Sequence, residues 1–420
     1  MKEEQEIMIE AFDNKKFKLR FIDNIDNKKA IVTHFLHNLQ NGIGNHFEEE
    51  AFQYLDEIIE FKNDTDNLKL NRNDVVQQIQ ENIINVPFPT PNNFTFTFID
   101  LFAGIGGFRL ALQNNGGKCV FSSEWDKFAQ ITYKENFGEV PFGDISQETT
   151  KSYIPEQFDV LCGGFPCQPF SNAGLKRGFE DTRGTLFFDV VDILNRRVES
   201  GNPVSVVFLE NVKGLRGHDK GNTLKTIIRT LEELGYTVAS QVLNSKNFGI
   251  PQNRERLFIV AWRTNLNLTF NFPLGIDQDE NLIFHVNELI NATNTNVGQI
   301  LTENPDPKYT ISDKLYAGHI RRRKEHKEKG NGFGFSSVNE NTQYTSTISA
   351  RYYKDGSEIL IEQEDANPRK LTPREAANLQ GYPENFIIPV SDNQAYKQFG
   401  NSVSVPVIQT IFQEINNQLL

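Results

Sequence analysis

Hydrophobic positions follow two different rhythms along this chain. Within residues 47–59 and 75–83 they recur every three or four positions, which is the spacing of an amphipathic helix. The prolines of segment 86–92 cannot continue a helix, because proline lacks a backbone donor and clashes with the preceding turn. The pattern therefore predicts a helical extension with a linker in residues 1–92.

From residue 93 short apolar runs alternate with helical stretches. Runs rich in Val, Ile and Phe predict strands at 96–102, 119–121, 159–162, 204–209 and 257–261. Helical spacing predicts helices at 108–114, 184–200, 222–235 and 405–419. Such alternation is typical of a parallel sheet covered on both faces. The predicted fold class is α/β, with a Rossmann-like, doubly wound, mostly parallel sheet.

The alternation stops after residue 264. Residues 265–368 are rich in Asn, Thr, Gly and charges, with β-like runs at 344–348 and 359–361. This segment is predicted to be a smaller, irregular, β-rich domain. The α/β character returns in residues 369–420, so the main α/β domain is expected to comprise 93–264 with a C-terminal return at 369–420.

Composition indicates a globular enzyme of 420 residues, 38% of them hydrophobic and 23% charged. The chain has no unbroken apolar stretch of membrane-spanning length, so no membrane association is expected. Its three cysteines, Cys119, Cys162 and Cys167, are too few for a disulfide framework, which favours a reducing cytoplasm. Their spacing relative to histidine matches no zinc site, so no metal is predicted.

The net charge of −12 argues mildly against a nucleic-acid partner, but the charge is unevenly distributed. Residues 1–92 hold 10 basic and 17 acidic residues, which accounts for −7. Residues 318–330 hold six basic and two acidic residues, a local charge of +4. That stripe fits contact with a phosphate backbone and equally fits a solvated helix face.

Cys167 follows an apolar strand, two glycines at 163–164 and the dipeptide Phe165-Pro166. A cysteine in a turn of exposed backbone N–H groups is a candidate nucleophile, because the thiolate is the attacking form. An inert buried cysteine is the alternative, and it suits Cys162 better. Pro166 and Pro169 stiffen the Cys167 turn, which favours a functional role.

A second motif, residues 98–107, runs from a strand through a glycine turn to a helix start. Glycines let the backbone approach a ligand closely. Glu124 lies 20 residues beyond Gly104, a spacing that suits a carboxylate binding ribose hydroxyls, and Trp125 could stack on an adenine. A dinucleotide would fit nearly as well, and a glycine turn without a ligand is the other alternative.

Two further motifs lie at strand ends. Glu210 follows the predicted strand 204–209, and the carboxyl ends of parallel strands are where such sheets bind ligands. Arg254 and Arg256 are two residues apart on an extended segment, so both point the same way and could bind a base carbonyl or a phosphate. A helix-capping acid and a salt-bridged strand entrance are the respective alternatives.

In this order and spacing, the four motifs resemble those of the DNA cytosine-C5 methyltransferases of bacterial restriction–modification systems. The resemblance covers residues 94–420. Further matching segments are Asp144-Ile145, 178–188, 369–375 and 398–403. In the family the last of these folds back onto the first glycine motif.

The resemblance implies S-adenosyl-L-methionine as cofactor. It implies that this cofactor is bound by Phe102, Gly104, Gly106, Gly107, Glu124, Trp125, Asp144, Ile145, Leu186, Asn401 and Ser402. It also implies that Cys167 adds to C6 of cytosine, that protonated Glu210 hydrogen-bonds N3, and that Arg256 with Arg254 holds O2. Such chemistry needs a base flipped out of the duplex.

Residues 265–368 would then be the target-recognition domain. Segment 329–335 resembles the family's glycine-rich recognition loop, and 349–356 looks close to Dcm-type enzymes. The DNA-binding residues implied are Ser171, Arg183, Asn331, Thr347 and Arg351. The expected substrate is double-stranded DNA with a short palindromic site, CCNGG-like or GGNCC-like. A monomer with a cognate restriction endonuclease is expected.

Other readings stay open at this point. A nicotinamide-dependent oxidoreductase would use the same glycine turn and Glu124, but it leaves Cys167, Glu210 and the arginine pair unexplained. A DNA-binding regulator would use residues 1–86, which are acidic and lack a recognition-helix pattern. Methylation of tRNA is a minor variant, against which the long recognition domain argues.

Overall fold

The computed structural model describes residues 25–39, 45–66, 71–166, 186–266, 268–291, 295–330 and 334–419. Cys167, Ser171, Arg183 and Asn331 lie outside these ranges. The chain divides into two compact units. The first comprises Met1–Gly106, Gly116–Gly163 and Ser171–Val204, and the second Gly107–Asn115, Gly164–Phe170 and Ser205–Leu420.

The described helices alternate with strands through most of the chain. The α-helices are α1 (Ile25–Asn38), α2 (Glu48–Asp66), α3 (Arg72–Ile84), α4 (Gly107–Asn114), α5 (Lys127–Phe137), α6 (Glu148–Lys151), α7 (Leu186–Glu199), α8 (Gly214–Gly217), α9 (Asn222–Glu233), α10 (Asp313–Glu328), α11 (Pro373–Asn378), α12 (Asp392–Asn401) and α13 (Val405–Leu419). The strands are β1 (Phe96–Leu101), β2 (Gly117–Ser123), β3 (Val160–Gly164), β4 (Val206–Val212), β5 (Tyr236–Asn244), β6 (Glu255–Arg263), β7 (Gly275–Ile276), β8 (Leu282–Ile283), β9 (Ser337–Val338) and β10 (Leu360–Ile361). Within the described ranges, no helix combines the length and apolarity needed to cross a bilayer.

The first unit begins with α1, α2 and α3. The last two confirm the predicted helices, whereas α1 was not predicted. Every side chain of α1 between residues 30 and 36 is buried, including the polar Thr33 and His34. A helix that is buried on most of its circumference does not show the one-sided apolar stripe that reveals a helix in sequence.

In this unit β2, β1 and β3 lie side by side and run parallel. The side chains of β2 are buried throughout. Helix α5 begins where the Asp126 carboxylate accepts hydrogen bonds from the backbone N–H groups of Phe128 and Ala129. It ends at Gly138, whose φ of 71° and close approach to Ile83 leave no room for a side chain.

In the second unit β6 lies between β4 and β5 and is antiparallel to both. Strand β5 was not predicted. The segment joining β5 to β6, residues 245–254, contains no crossover helix, and a short connection of this kind joins antiparallel strands. Helix α4 packs on α13, where Asn114 and Asn115 donate hydrogen bonds to Gln409.

The part of the second unit within residues 265–368 is mostly irregular. Its regular elements among the described residues are α10, four two-residue strands and short 3-10 turns. Strands β7 and β8 pair antiparallel, and β9 and β10 pair parallel, with two residues each. Among the described residues of 265–368 the predicted β-rich character is therefore limited to such short pairs. The predicted strand 344–348 is wrong, because Thr345 forms only an isolated bridge with Gln252. Buried Ile311, Phe335 and Leu360 form a small core here.

Candidate active site

The Glu124 carboxylate lies just beyond β2 and is bound by the backbone around it. Its Oε2 accepts a hydrogen bond from the Gly104 N–H at 2.8 Å, and its Oε1 accepts one from the Asp126 N–H at 2.7 Å. Burial raises the pKa of Glu124, and backbone N–H groups of Asp126, Gly104 and Trp125 oppose the rise by stabilising the charged form. The side chain is therefore fixed in direction.

The glycine turn after β1 has an unusual backbone. Phe102 has a φ of 56°, a value that residues other than glycine rarely adopt, and Gly104 and Gly106 also have positive φ. A Cβ on Gly106 would lie 2.2 Å from the Phe137 ring, so only glycine fits there. Strained backbone of this kind persists where the surrounding structure enforces it, often at ligand sites.

Asp144 and Ile145 are brought close to Glu124. The Phe142 N–H donates to Ser122 O at 2.8 Å, and the Glu124 N–H donates to Phe142 O at 2.8 Å. These hydrogen bonds form a parallel β-bridge between Ser123 and Phe142, so the two segments that follow the bridge continue side by side. Asp144 is exposed and Ile145 is buried, while Trp125 is 80% exposed. Leu186 is the half-buried first residue of α7.

Glu210 and Arg256 face each other across β4 and β6. Arg256 Nε lies 3.1 Å from Glu210 Oε1, and both side chains are largely buried. Burial raises the pKa of Glu210, and the Arg256 guanidinium opposes that rise. Burial likewise lowers the pKa of Arg256. This is a carboxyl group that can take up a proton more readily than an exposed one.

The Glu210 carboxyl also lies against the chain segment that leads to Cys167. A Cβ on Gly164 would stand 3.5 Å from Glu210 Oε2. The neighbouring Asn211 is buried and its Nδ2 donates to Phe165 O at 2.9 Å. Asn211 therefore anchors the backbone two residues before the predicted nucleophile. Sequence reasoning did not assign Asn211 a role, although a polar residue directly after a strand-end acid was a visible signal.

Arg254 is fully buried and has a different environment from Arg256. Its guanidinium donates to three backbone carbonyls, those of Ile348, Gly400 and Ser402. Burial, with repulsion from Arg256, lowers the pKa of Arg254 to about 9. Arg254 thus joins the 345–348 segment to the end of α12, and its predicted catalytic role stays a prediction.

The predicted DNA-binding residue Thr347 lies beside the arginine motif. Its Oγ1 donates to Asn253 O at 2.7 Å, and the neighbouring Ile348 N–H donates to Gln252 Oε1 at 3.1 Å. Gln252 is buried and its Nε2 also donates to Leu379 O. The segment containing Thr347 is therefore bound directly to 252–254. Arg351 is exposed.

The predicted C-terminal cofactor motif packs on the start of α4. Asn401 is the last residue of α12, and Ser402 follows it as the C-cap. Ser402 Oγ lies 2.7 Å from the Tyr382 hydroxyl. A Cβ on Gly107 would stand 2.7 Å from that hydroxyl and 2.7 Å from Val403. The C-terminal element therefore packs closely on Gly107.

The sequence model of the family "C-5 cytosine-specific DNA methylase" matches residues 96–417. The chain is 53% identical over 339 residues to the type II methyltransferase M.SsoII of Shigella sonnei, covering 79% of this chain and 83% of that protein. It is 47% identical over 343 residues to M.HpaII of Haemophilus parainfluenzae, covering 77% and 90% respectively.

A solved structure of a Spodoptera frugiperda DNMT2 mutant superposes with a TM-score of 0.59 and 21% identity, covering 76% of this chain and 99% of that one. The fold is thus the α/β class I methyltransferase fold, as predicted. The chain belongs to the C-5 cytosine-specific DNA methylase family and is a DNA (cytosine-5)-methyltransferase similar to those of restriction–modification systems. This membership excludes the oxidoreductase reading.

Proposed function

We propose that the enzyme transfers a methyl group from S-adenosyl-L-methionine to C5 of a flipped-out cytosine, with a transient bond between Cys167 and C6. The supporting observation is the buried Glu210–Arg256 pair beside Gly164, in the segment that leads to Cys167. The role of each residue follows from its chemistry.

Glu210 is proposed to act as the acid at N3. C5 of cytosine is a weak nucleophile, and addition of a thiolate at C6 converts the ring into an enamine with charge developing toward N3. A proton donor at N3 stabilises that charge most when it sits in a water-poor site. The raised pKa of Glu210 supports this role, because the group can carry a proton at higher pH than an exposed glutamate.

Arg256 is proposed to hold O2 of the base. Its Nε faces Glu210 and its Nη1 donates to Glu255 O, which leaves further guanidinium N–H groups for a carbonyl acceptor. Arg254 is proposed to contribute indirectly, because its carbonyl contacts keep Ile348 and Ser402 in place. In this proposal Arg256 binds the base, whereas Arg254 holds the surrounding backbone in place.

Cys167 is proposed to be the nucleophile. Its sulfur bonds to C6. After C5 has gained the methyl group, the C5 proton passes to solvent and the thiolate departs from C6, which restores the aromatic ring. A base inside a stacked duplex cannot be reached from above C6, so the cytosine must be extruded. The hydrogen bond from Asn211 to Phe165 O supports this role, because it fixes the backbone of the segment that leads to Cys167.

The Glu124 region fits S-adenosyl-L-methionine. The Glu124 carboxylate is held by the backbone N–H groups of Gly104 and Asp126, and a carboxylate fixed in this way suits ribose hydroxyls. The exposed indole of Trp125 is available to stack on an adenine, and Asp144 lies on the neighbouring segment of the chain. Phe102, Gly104, Gly106, Gly107, Ile145, Leu186, Asn401 and Ser402 are proposed to complete the site. When bound, the cofactor supplies an electrophilic methyl group on a sulfonium sulfur.

The DNA target is proposed to be a short palindrome, CCNGG-like or GGNCC-like, contacted by Ser171, Arg183, Asn331, Thr347 and Arg351. M.SsoII and M.HpaII carry the name type II methyltransferase. By this likeness the enzyme is proposed to protect DNA from a cognate endonuclease, acting as a cytoplasmic monomer.

Bisulfite sequencing of DNA from cells that express the chain tests the activity and reports the site. We expect complete modification at one short palindrome. Cys167→Ser should abolish it, while Cys162→Ser, a buried cysteine on β3, should leave it unchanged. Retained methylation in Cys167→Ser would refute the nucleophile.

The covalent step has its own test. A duplex containing 5-fluorocytosine has no C5 proton to lose, so the adduct should persist on wild-type enzyme in the presence of cofactor. The complex should resist denaturing electrophoresis and should map to Cys167 by peptide mass spectrometry. Methylation without any trapped adduct would exclude the covalent route while leaving the methyltransferase activity intact.

A further inference from the structure

Helix α1 covers the outer edge of β2, and it does so from outside the range matched by the family, 96–417. Strand β2 is the last strand of its sheet, so the backbone groups on its outer side need partners from elsewhere. Asn38 Nδ2 donates to Val120 O at 3.3 Å, and the Ser122 N–H donates to His34 Nε2 at 3.0 Å. Two side chains of α1 thereby satisfy the edge of β2.

His34 is held from both sides. Its side chain is fully buried, and its Nδ1 lies 2.9 Å from Ala30 O. A carbonyl only accepts, so Nδ1 carries the proton, and Nε2 is the acceptor for Ser122. The imidazole ring also packs against Phe142, with ring centroids 4.6 Å apart. The ring therefore ties α1 to both β2 and the segment that contains Phe142.

The same helix binds a second stretch of backbone. Thr33 Oγ1 accepts a hydrogen bond from the Val140 N–H at 3.1 Å, and Asn27 Oδ1 accepts one from the Gly143 N–H at 3.2 Å. Ser122 Oγ donates to Glu139 Oε1 at 3.0 Å, which closes the connection between this stretch and β2. Residues 139–143 are thus held between β2 and α1.

These two backbones lead directly to the residues proposed to bind the cofactor. Glu124 lies two residues beyond Ser122, and Asp144 lies one residue beyond Gly143. We propose that α1 is a built-in part of the cofactor framework and that His34 is a positioning residue for S-adenosylmethionine. This inference rests on the proposed role of Glu124 and Asp144. Without the imidazole, the Ser122 N–H loses its acceptor and the Phe142 ring loses a packing partner. The segments that lead to Glu124 and to Asp144 can then shift.

The test compares His34→Ala with wild type in the full-length enzyme. Binding of S-adenosylmethionine is measured by calorimetry and by the fluorescence of Trp125, which adjoins Glu124. We expect the Kd to rise about tenfold, as for the loss of one buried hydrogen-bond partner. The KM for the cofactor should rise in parallel, with kcat at saturation and the KM for DNA unchanged.

Gln53→Ala is the matched control. Gln53 is exposed, and its Nε2 donates to Glu57 Oε1 on the same helix, α2. This change should leave cofactor binding at the wild-type level. Asn27→Ala removes the acceptor of the Gly143 N–H on the second backbone and should also weaken cofactor binding, which keeps the inference testable if His34→Ala does not fold.

The outcomes separate this inference from the proposed function. If His34→Ala binds S-adenosylmethionine with the same Kd as the wild type, the proposed role of α1 is overturned and the enzyme's use of this cofactor stands. Where His34→Ala does not fold, an unchanged Kd in Asn27→Ala has the same meaning. A lower kcat with unchanged KM would mean only a smaller folded fraction and would also overturn it. Failure of the wild type to bind S-adenosylmethionine would overturn the proposed cofactor itself.

Discussion

Arg256 Nε lies 3.1 Å from Glu210 Oε1, on neighbouring antiparallel strands. The pair combines a carboxyl group whose pKa is raised by burial with a guanidinium that opposes the rise. Burial and the Arg256 guanidinium thus act on the pKa of Glu210 in opposite directions, and burial has the larger effect.

Glu210→Gln should lower kcat by about 10²- to 10⁴-fold, the usual contribution of a positioned acid. Glutamine keeps the shape but cannot give a proton to N3. Single-turnover methyl transfer to duplex DNA measures the effect. Glu255→Gln is the control, because Glu255 is a partly exposed residue at the start of β6 that pairs with Lys213. Near-normal turnover in Glu210→Gln would contradict the acid role.

Removal of Arg256 should move the pH dependence of the reaction. Under the proposed mechanism the protonated form of Glu210 is the active one, so the single-turnover rate should fall as pH rises through its pKa. Arg256 lowers that pKa, so Arg256→Met should shift the falling limb to higher pH. The rate at saturating DNA, followed from pH 5 to 10, reports the shift. A limb that moves to lower pH would show that another group titrates.

Arg254→Met should destabilise the fold more than it impairs chemistry. The change leaves the carbonyls of Ile348, Gly400 and Ser402 without their buried donor. The free energy of unfolding should fall by about 3 kcal/mol, typical for bonds to a charged donor. Urea denaturation measures the loss. The equivalent change at Arg256 should cost less stability and more activity, and the reverse ranking would assign the two arginines the opposite roles.

Asn211→Ala should slow formation of the covalent adduct. The Phe165 carbonyl loses its donor, and the segment leading to Cys167 is no longer anchored to β4. We expect a loss of stability of about 1–3 kcal/mol. The rate of trapping on 5-fluorocytosine DNA should also fall. Asn195→Ala provides the control, since Asn195 Nδ2 donates to Glu199 Oε1 on the exposed surface. An unchanged trapping rate would mean that the anchor is dispensable.

Gly107→Ala should be destabilising by about 1–3 kcal/mol, because its Cβ would stand 2.7 Å from the Tyr382 hydroxyl and from Val403. Tyr382→Phe removes one of these two obstacles and should recover part of the loss in a double-mutant cycle. Gly318→Ala should be neutral or slightly stabilising, because a Cβ added at this helical position meets no atom of another described element within 4 Å. Equal effects at both glycines would show that the close packing at Gly107 is not needed.

Much of the fold could be predicted because its signals are local. Apolar runs in β1–β4 and β6 and helical spacing in α2, α3, α7, α9 and α13 are properties of adjacent residues, and the structure confirms these elements. Strand β5 was missed because its burial pattern is mostly intermediate, which gives no apolar run. The antiparallel direction of β6 depends on pairing with β4 and β5, which sequence periodicity does not contain. The domain limits at 92, 264 and 368 stay predictions.

The sequence by itself determined most of the elements and the family, because apolar spacing, glycine turns and the four motifs are properties of neighbouring residues. The tertiary structure alone decided which polar side chains meet. Arg254 and Arg256 are equivalent in sequence, yet folding directs one to backbone carbonyls and the other to Glu210. His34 likewise reaches Ser122, 88 residues away. Such contacts depend on chain crossings in three dimensions, so no local pattern encodes them.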